Sequence, residues 1–178
     1  MSLRPERVLI DRATIQAKVA EMARTIEARH RHPEPLLVVS VLRGAVIFAA
    51  DLMRELNLAL SVEFVAVESY GSSTRSSGAV NITRDVTEDL DGRHVLLVED
   101  IVDTGLTLRY LISHLKGKNP ASLEVAVLLD KVARRQIEVK VDYTGFVIPD
   151  AFVVGYGLDY AGLYRNLPDV MVLGESAS

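Results

Sequence analysis

The chain predicts an α/β fold, a mostly parallel central sheet flanked by helices, on three observations. Continuous apolar runs at Leu36–Leu42, Val95–Val98 and Leu123–Leu129 read as strands buried on both faces. Segments with apolar residues at three- and four-residue spacing alternate with these runs, and that order implies parallel strands joined by right-handed crossovers. Three polar turns, Arg43-Gly44, Glu99 to Thr107 and Lys131, each follow a predicted strand. Ligands of such sheets bind outside the carboxyl ends of the strands, so these turns converge on one edge.

Taken in order, Val8 to Arg29 carries a helical pattern, with Ile15, Val19, Met22 and Ile26 on one face. Pro33 and Pro35 close it, and Leu36–Leu42 follows as a strand. The Arg43-Gly44 turn leads into a helix from Ala45 to Glu55, and Leu60 to Val67 forms the next strand. Glu68 to Arg84 is rich in serine and glycine and poor in apolar anchors, which predicts a mobile loop or a hairpin with a flexible tip. Val95 to Glu99 is a strand, Leu106 to Lys116 a helix and Leu123 to Leu129 another buried strand. Short strands are expected at Tyr143–Val147, Phe152–Tyr156 and Val170–Leu173.

Composition narrows the function classes. A chain of 178 residues, 49% hydrophobic and 25% charged with mean hydropathy +0.20, has the make-up of one globular domain. A net charge of −4 and the lack of any Lys/Arg run argue against a nucleic-acid binder. With no cysteine, disulfides, thiolate metal sites and thiol catalysis are excluded. The first residues lack an apolar signal core and no run reaches the ~18 residues of a membrane span, so a cytoplasmic protein without a membrane partner is expected.

The chemistry concentrates in Val95-Leu96-Leu97-Val98-Glu99-Asp100-Ile101-Val102-Asp103-Thr104-Gly105-Leu106-Thr107. Free N–H groups at a helix start attract an anion, and Gly105 lets backbone approach it closely. Thr104 and Thr107 add hydroxyl donors suited to a phosphate monoester. Taken alone, Asp103 or Thr104 reads better as a helix N-cap. Glu99 and Asp100 tip the balance, because adjacent carboxylates ending a buried strand have no core role. They suit a hard divalent cation or sugar hydroxyls; the bland alternative is a solvated acidic pair. The stretch lacks the Gly-Lys-Ser/Thr ending of a P-loop and the second glycine of a Rossmann fingerprint.

This stretch resembles the phosphoribosyl-pyrophosphate signature of type I phosphoribosyltransferases. Ser40-Val41-Leu42-Arg43-Gly44-Ala45, Leu128-Leu129-Asp130-Lys131 and Ile148 to Tyr160 narrow the likeness to the bacterial hypoxanthine phosphoribosyltransferases. The match runs in order from about Leu36 to Leu173. The resemblance implies one domain over residues 1–178, with a core at about 36–135. A small hood is formed by the chain ends (the N-terminal segment and about 140–178), and a mobile loop covers about 68–84. It implies purine salvage: transfer of a phosphoribosyl group from phosphoribosyl pyrophosphate to hypoxanthine or guanine, with Mg2+, in a homodimer or homotetramer.

Residue by residue, the resemblance gives the 5′-phosphate to Asp103, Thr104, Gly105, Leu106 and Thr107. Glu99 and Asp100 face the ribose, partly through the metal, and Asp159 helps hold a second Mg2+. Leu42, Arg43, Gly44 and Arg165 bind pyrophosphate, with a non-proline cis peptide between Leu42 and Arg43. In the purine pocket, Lys131 donates to the 6-oxo group, Phe152 stacks on the ring and the Val153 carbonyl faces the 2-position, with Ile101 and Asp159 alongside. Asp103 is the general base, and Ser69 and Tyr70 begin the loop that closes over the site.

Each assignment has a plainer alternative. Lys131 precedes Arg134 and Arg135 and reads equally as one of several solvated cations; Phe152 reads as core, Arg43 as a surface residue and Tyr70 as an ordinary loop aromatic. His30, His32, His94 and His114 show no metal-ligand spacing and read as surface or helix-end residues. Three rival functions remain at this level. A related phosphoribosyltransferase could use xanthine or a pyrimidine; Lys131 and Phe152-Val153 favour a 6-oxopurine but do not rank hypoxanthine, guanine and xanthine. A non-catalytic regulator on the same fold could lose Asp103 or the loop, and both are present. A phospho-acceptor domain leaves the Thr-Gly-x-Thr turn and the Phe152–Asp159 string unexplained.

Overall fold

The computed structural model describes residues 3–69 and 80–175. Nine strands and three α-helices are described: β1 Leu3–Ile10, α1 Arg12–Arg29, β2 Leu36–Leu42, α2 Val46–Glu55, β3 Leu60–Ser69, β4 Val80–Arg84, β5 His94–Val102, α3 Leu106–Lys116, β6 Ser122–Asp130, β7 Tyr143–Val147, β8 Val153–Val154 and β9 Val170–Glu175. A short 3-10 turn covers Val132–Arg134. Among the described residues no helix is long and apolar enough to cross a membrane.

Six strands form one sheet in the order β4-β3-β2-β5-β6-β7, parallel except for the β3–β4 pair. The mostly parallel α/β sheet expected from the sequence is therefore present. Its strands are apolar on both faces because helices cover both. Val38, Leu96 and Val98 pack with α1 and α2 through Ile15, Phe48 and Leu52. Leu37, Val39 and Leu97, one residue out of phase, pack with α3 through Leu108, Leu111 and Leu115.

The chain leaves β2 through α2 toward β3 on one side, and leaves β5 through α3 toward β6 on the other. Neighbours β2 and β5 thus flank the point where the winding reverses. At their carboxyl ends the two outgoing chains part and open a crevice, the usual ligand position of such sheets.

A second, antiparallel sheet, β1-β9-β8, joins the two chain ends. Here the sequence reading needs correction. The helical pattern that starts at Val8 takes in Val8, Leu9 and Ile10, but these residues belong to β1, where Val8 pairs with Met171 and Ile10 with Val170 of β9. The helix starts only after Asp11, whose carboxylate accepts from Thr14 N at 2.8 Å as an N-cap. The expected strand Phe152–Tyr156 shortens to Val153–Val154, because Gly155 and Gly157 turn the chain with φ of +91° and +100°. Of the two forms expected for Glu68 to Arg84, the described residues show the hairpin: Glu68 and Ser69 end β3 and residues 80–84 pair antiparallel with β3 as β4, so a loop over the whole of 68–84 would be too long. The rest of that loop, Tyr70 included, lies outside the described residues.

Candidate active site

Three consecutive strands of the sheet, β2, β5 and β6, deliver Leu42 to Gly44, Glu99 to Thr107 and Lys131 at their carboxyl ends, and the chain around β8 brings Phe152, Val153, Asp159 and Arg165. Two cavities of about 260 Å3 each adjoin there. The first is lined by the turns after β2 and β5: Leu42 and Gly44 on one side, Glu99 to Gly105 and Thr107 on the other, with Asp159 and Arg165 above. The second is lined by Lys131, Phe152, Val153 and Leu158. Asp100, Ile101, Asp103 and Asp159 line both. The side chain of Arg43 is exposed, and Arg43 and Leu106 line neither cavity. Ser69 is the last residue of β3.

The turns meet because one residue has no side chain. A Cβ on Gly44 would lie 1.7 Å from Asp100 Oδ2, so the carboxylate occupies the space that glycine vacates. On its other side, the Gly44 carbonyl would lie 2.1 Å from a Cβ built on Gly157. This double contact brings the Gly157–Arg165 turn down over the crevice. The turn is braced by Arg165 Nη1, which donates to the Gly157 carbonyl at 2.6 Å, and by its Nη2, 2.5 Å from Asp159 Oδ1. The Leu42–Arg43 peptide is cis, as the resemblance implies.

Glu99, buried, and Asp100, half-buried, form an acidic pair. Asp100 Oδ1 accepts from Ile101 N at 2.8 Å, while Glu99 has no ion-pair partner among the described residues. Burial first, and the Asp100 charge second, push the Glu99 carboxyl well above the usual carboxylate range. Burial also raises Asp100, against hydrogen bonds and the Arg165 charge, which pull it down. Buried carboxylates without a balancing cation are costly, and their hard oxygens, together with those of Asp159, fit a divalent ion such as Mg2+.

Beyond Asp103 the chain turns at Gly105, φ +88°, and enters α3. Thr104 is fixed by Gln136 N, which donates to its carbonyl at 3.0 Å. Gly105 and Thr107, at the start of α3, line the first cavity, while Leu106 N donates to Thr104 Oγ1 at 3.4 Å, so the helix N-terminus borders the cavity as an anion cradle. Asp103 is no simple helix cap. Its Oδ1 accepts from Arg134 Nε at 3.0 Å, and Arg134 also lies 3.6 Å from Asp150.

The second cavity decides between the alternatives for Lys131 and Phe152. Lys131 is only 8% exposed, its Nζ 3.8 Å from Asp150 Oδ1, whereas Arg134 is a surface residue. Phe152 is 54% exposed and meets Tyr160 edge-on at 5.6 Å, so it is not core. A buried cation beside an exposed aromatic is the reverse of their ordinary places, and it suits a flat polar ligand.

The comparisons with known proteins agree with this geometry. Residues 11–161 match the family model described as phosphoribosyl transferase domain. The chain is 45% identical over 168 residues to a hypoxanthine-guanine phosphoribosyltransferase of Bacillus subtilis, covering 94% of this chain and 93% of that one. The chain belongs to the phosphoribosyltransferase family. Within it, a hypoxanthine phosphoribosyltransferase of Haemophilus influenzae is 45% identical over 90% of both chains. Among solved structures, a hypoxanthine-guanine phosphoribosyltransferase of Bacillus anthracis superposes with a TM-score of 0.90 at 40% identity, covering 95% of this chain and 99% of that one.

For a phosphoribosyltransferase of this shape, sequence reasoning overlooked several supporting residues. Arg134 and Asp150 tie Asp103 and Lys131 into one ionic network. Arg135 clamps Asp130 through Nε and Nη2 at 3.2 and 3.0 Å and steadies the end of β6. The basic run after Lys131 was the available signal, but the sequence does not say which of its members turn inward. The histidines keep to the surface and helix-end places expected of them, His30 as the C-cap of α1, His114 in the last turn of α3 and His32 exposed. His114 pairs with Asp85 at 2.9 Å, while His30, His32 and His94 gather at the amino end of the sheet.

Proposed function

We propose that this enzyme transfers the 5-phosphoribosyl group of phosphoribosyl pyrophosphate to N9 of hypoxanthine or guanine, giving IMP or GMP and pyrophosphate in purine salvage. The observation that carries the reading is the second cavity. Buried Lys131 and exposed Phe152 border it, and it shares Asp103 with the anion cradle next door. Relatives named for hypoxanthine and guanine transfer support the same substrates.

In this reading the backbone of Asp103–Thr107 and the two threonine hydroxyls hold the 5′-phosphate. Leu42, Arg43, Gly44 and Arg165 receive the pyrophosphate, with Arg165 held in place by Asp159 and the Gly157 carbonyl. Glu99, Asp100 and Asp159 would hold Mg2+, which when bound supplies positive charge at the leaving group. Lys131 Nζ donates to the 6-oxo oxygen, Phe152 covers the ring and the Val153 carbonyl accepts from the 2-position. As the C1′–O bond to pyrophosphate breaks and the N9–C1′ bond forms, the purine loses a proton, which Asp103 accepts at N7. Arg134 Nε donates to Asp103 Oδ1 at 3.0 Å and orients that carboxylate. Ser69 and Tyr70 begin the segment that closes over the site. A cytoplasmic homodimer or homotetramer completes the reading, and light scattering on the eluting protein measures the assembly.

The direct test is to incubate the protein with Mg2+, phosphoribosyl pyrophosphate and each purine separately, and to quantify nucleoside monophosphate. Formation of IMP and GMP is expected; no turnover with either base would refute the reading.

A further inference from the structure

The far end of the sheet holds a cluster that phosphoribosyl transfer does not use. We infer that His32, Glu34 and His94 form a binding site for a borderline divalent transition ion of the Zn2+ class. Their ligand atoms all lie within 4.8 Å of one another. The His32 and His94 rings stack at 3.8 Å with an interplanar angle of 15°, and His30 packs edge-on against both at 5.5 and 5.7 Å. Two imidazoles and one carboxylate are a donor set that selects such ions over Mg2+.

Two features mark this as a built arrangement. First, His94 has an outer partner: its Nδ1 lies 2.7 Å from Ser122 Oγ, which fixes the ring and leaves Nε2 as the nitrogen free to bind. Second, the loop carrying the other ligands is stiff. Pro33 and Pro35 flank Glu34 and restrict its backbone, and His30 Nε2 reaches the Glu34 carbonyl at 3.3 Å. The backbone of the loop is thus held near the ion, and binding needs the stacked rings to tilt until both lone pairs converge on it. The ion would staple the α1–β2 connection to the first residue of β5. Asp100 lies six residues further along that strand, about 20 Å away at ~3.3 Å per residue, so the ion's effect falls on stability and leaves turnover unchanged.

The test uses full-length protein without a histidine tag, stripped with chelator and held in excess Mg2+ so that the acidic site does not compete. Equilibrium dialysis against Zn2+ should find one ion per chain, and Zn2+ should raise the melting temperature. His32→Ala, an exposed position, should abolish both effects while transfer activity measured in Mg2+ alone stays at the parent level. His94→Gln should do the same, and Co2+ bound to the parent should show a visible absorption that both variants lack. Absence of Zn2+ binding in the parent, or stoichiometry unchanged by His32→Ala, would overturn the site. Neither result bears on phosphoribosyl transfer, which is assayed separately.

Discussion

Strand β5 carries carboxylates at one end and an imidazole at the other, and the two ends live in different surroundings. Glu99 and Asp100 sit in the crevice where the winding of the sheet reverses, walled by three turns, Glu99 buried and Asp100 half-buried. His94 sits at the opposite rim, stacked on exposed His32 beside a surface loop. Enclosure makes the carboxyl end both costly and reactive: buried anions there demand cations, from the protein or from a ligand. The amino end has no such demand, because its imidazoles stack near the surface with no buried carboxylate beside them. Function is therefore expected to be fragile at the first end and stability to be adjustable at the second.

Asp103→Asn should show the largest effect at the crevice. Loss of a general base lowers kcat by roughly 10²–10⁴-fold, while affinity for phosphoribosyl pyrophosphate stays within a few-fold. Pre-steady-state product formation separates the two quantities, and unchanged turnover would remove Asp103 from that role. Gly44→Ala should be nearly as damaging, because the new methyl displaces the Asp100 carboxylate. Its signature is a loss of activity that Asp100→Ala does not deepen when the two are combined.

Glu99→Gln tests the cost of enclosure. The folded protein raises the Glu99 carboxyl, so it binds a proton more tightly than the unfolded chain does. Its stabilising contribution is complete below the unfolded value, near 4.5, and is lost as pH rises through the folded value. In metal-free buffer, the glutamine variant should therefore melt above the parent at pH 8, with the gap closing toward pH 4, while activity falls. A variant less stable than the parent at pH 8 would contradict the account. The smallest effect is expected at Ser40, whose buried hydroxyl has no hydrogen-bond partner among the described residues. Ser40→Ala should change stability by no more than about 1 kcal/mol, since no bond is lost, and urea denaturation measures it.

How far the sequence reveals this protein depends on how local each feature is. The strands and helices of the six-stranded sheet follow from runs and periodicities within single segments, and the acidic turn sits in one stretch of chain. β1 was missed because its strand character comes from pairing with β9, some 160 residues away, and the helix after it masked the boundary despite the Asp11 cap. The same limit hid the histidine cluster, whose members are adjacent only after β2 and β5 align. It also left Lys131 and Phe152 undecided between surface and core. Their burial is set by residues arriving from other strands, Asp150 and Tyr160 among them.

The central claim is that the cavity beside the acidic crevice reads a 6-oxopurine, and base selectivity tests it most directly. With phosphoribosyl pyrophosphate saturating, kcat/KM for hypoxanthine and for adenine is measured on the parent and on Lys131→Ala. The account predicts strong preference for hypoxanthine in the parent. In the variant, loss of one charged hydrogen bond to substrate lowers the hypoxanthine value by about 10–100-fold and leaves the adenine value nearly unchanged. An equal loss with both bases would make Lys131 a structural residue and contradict the account.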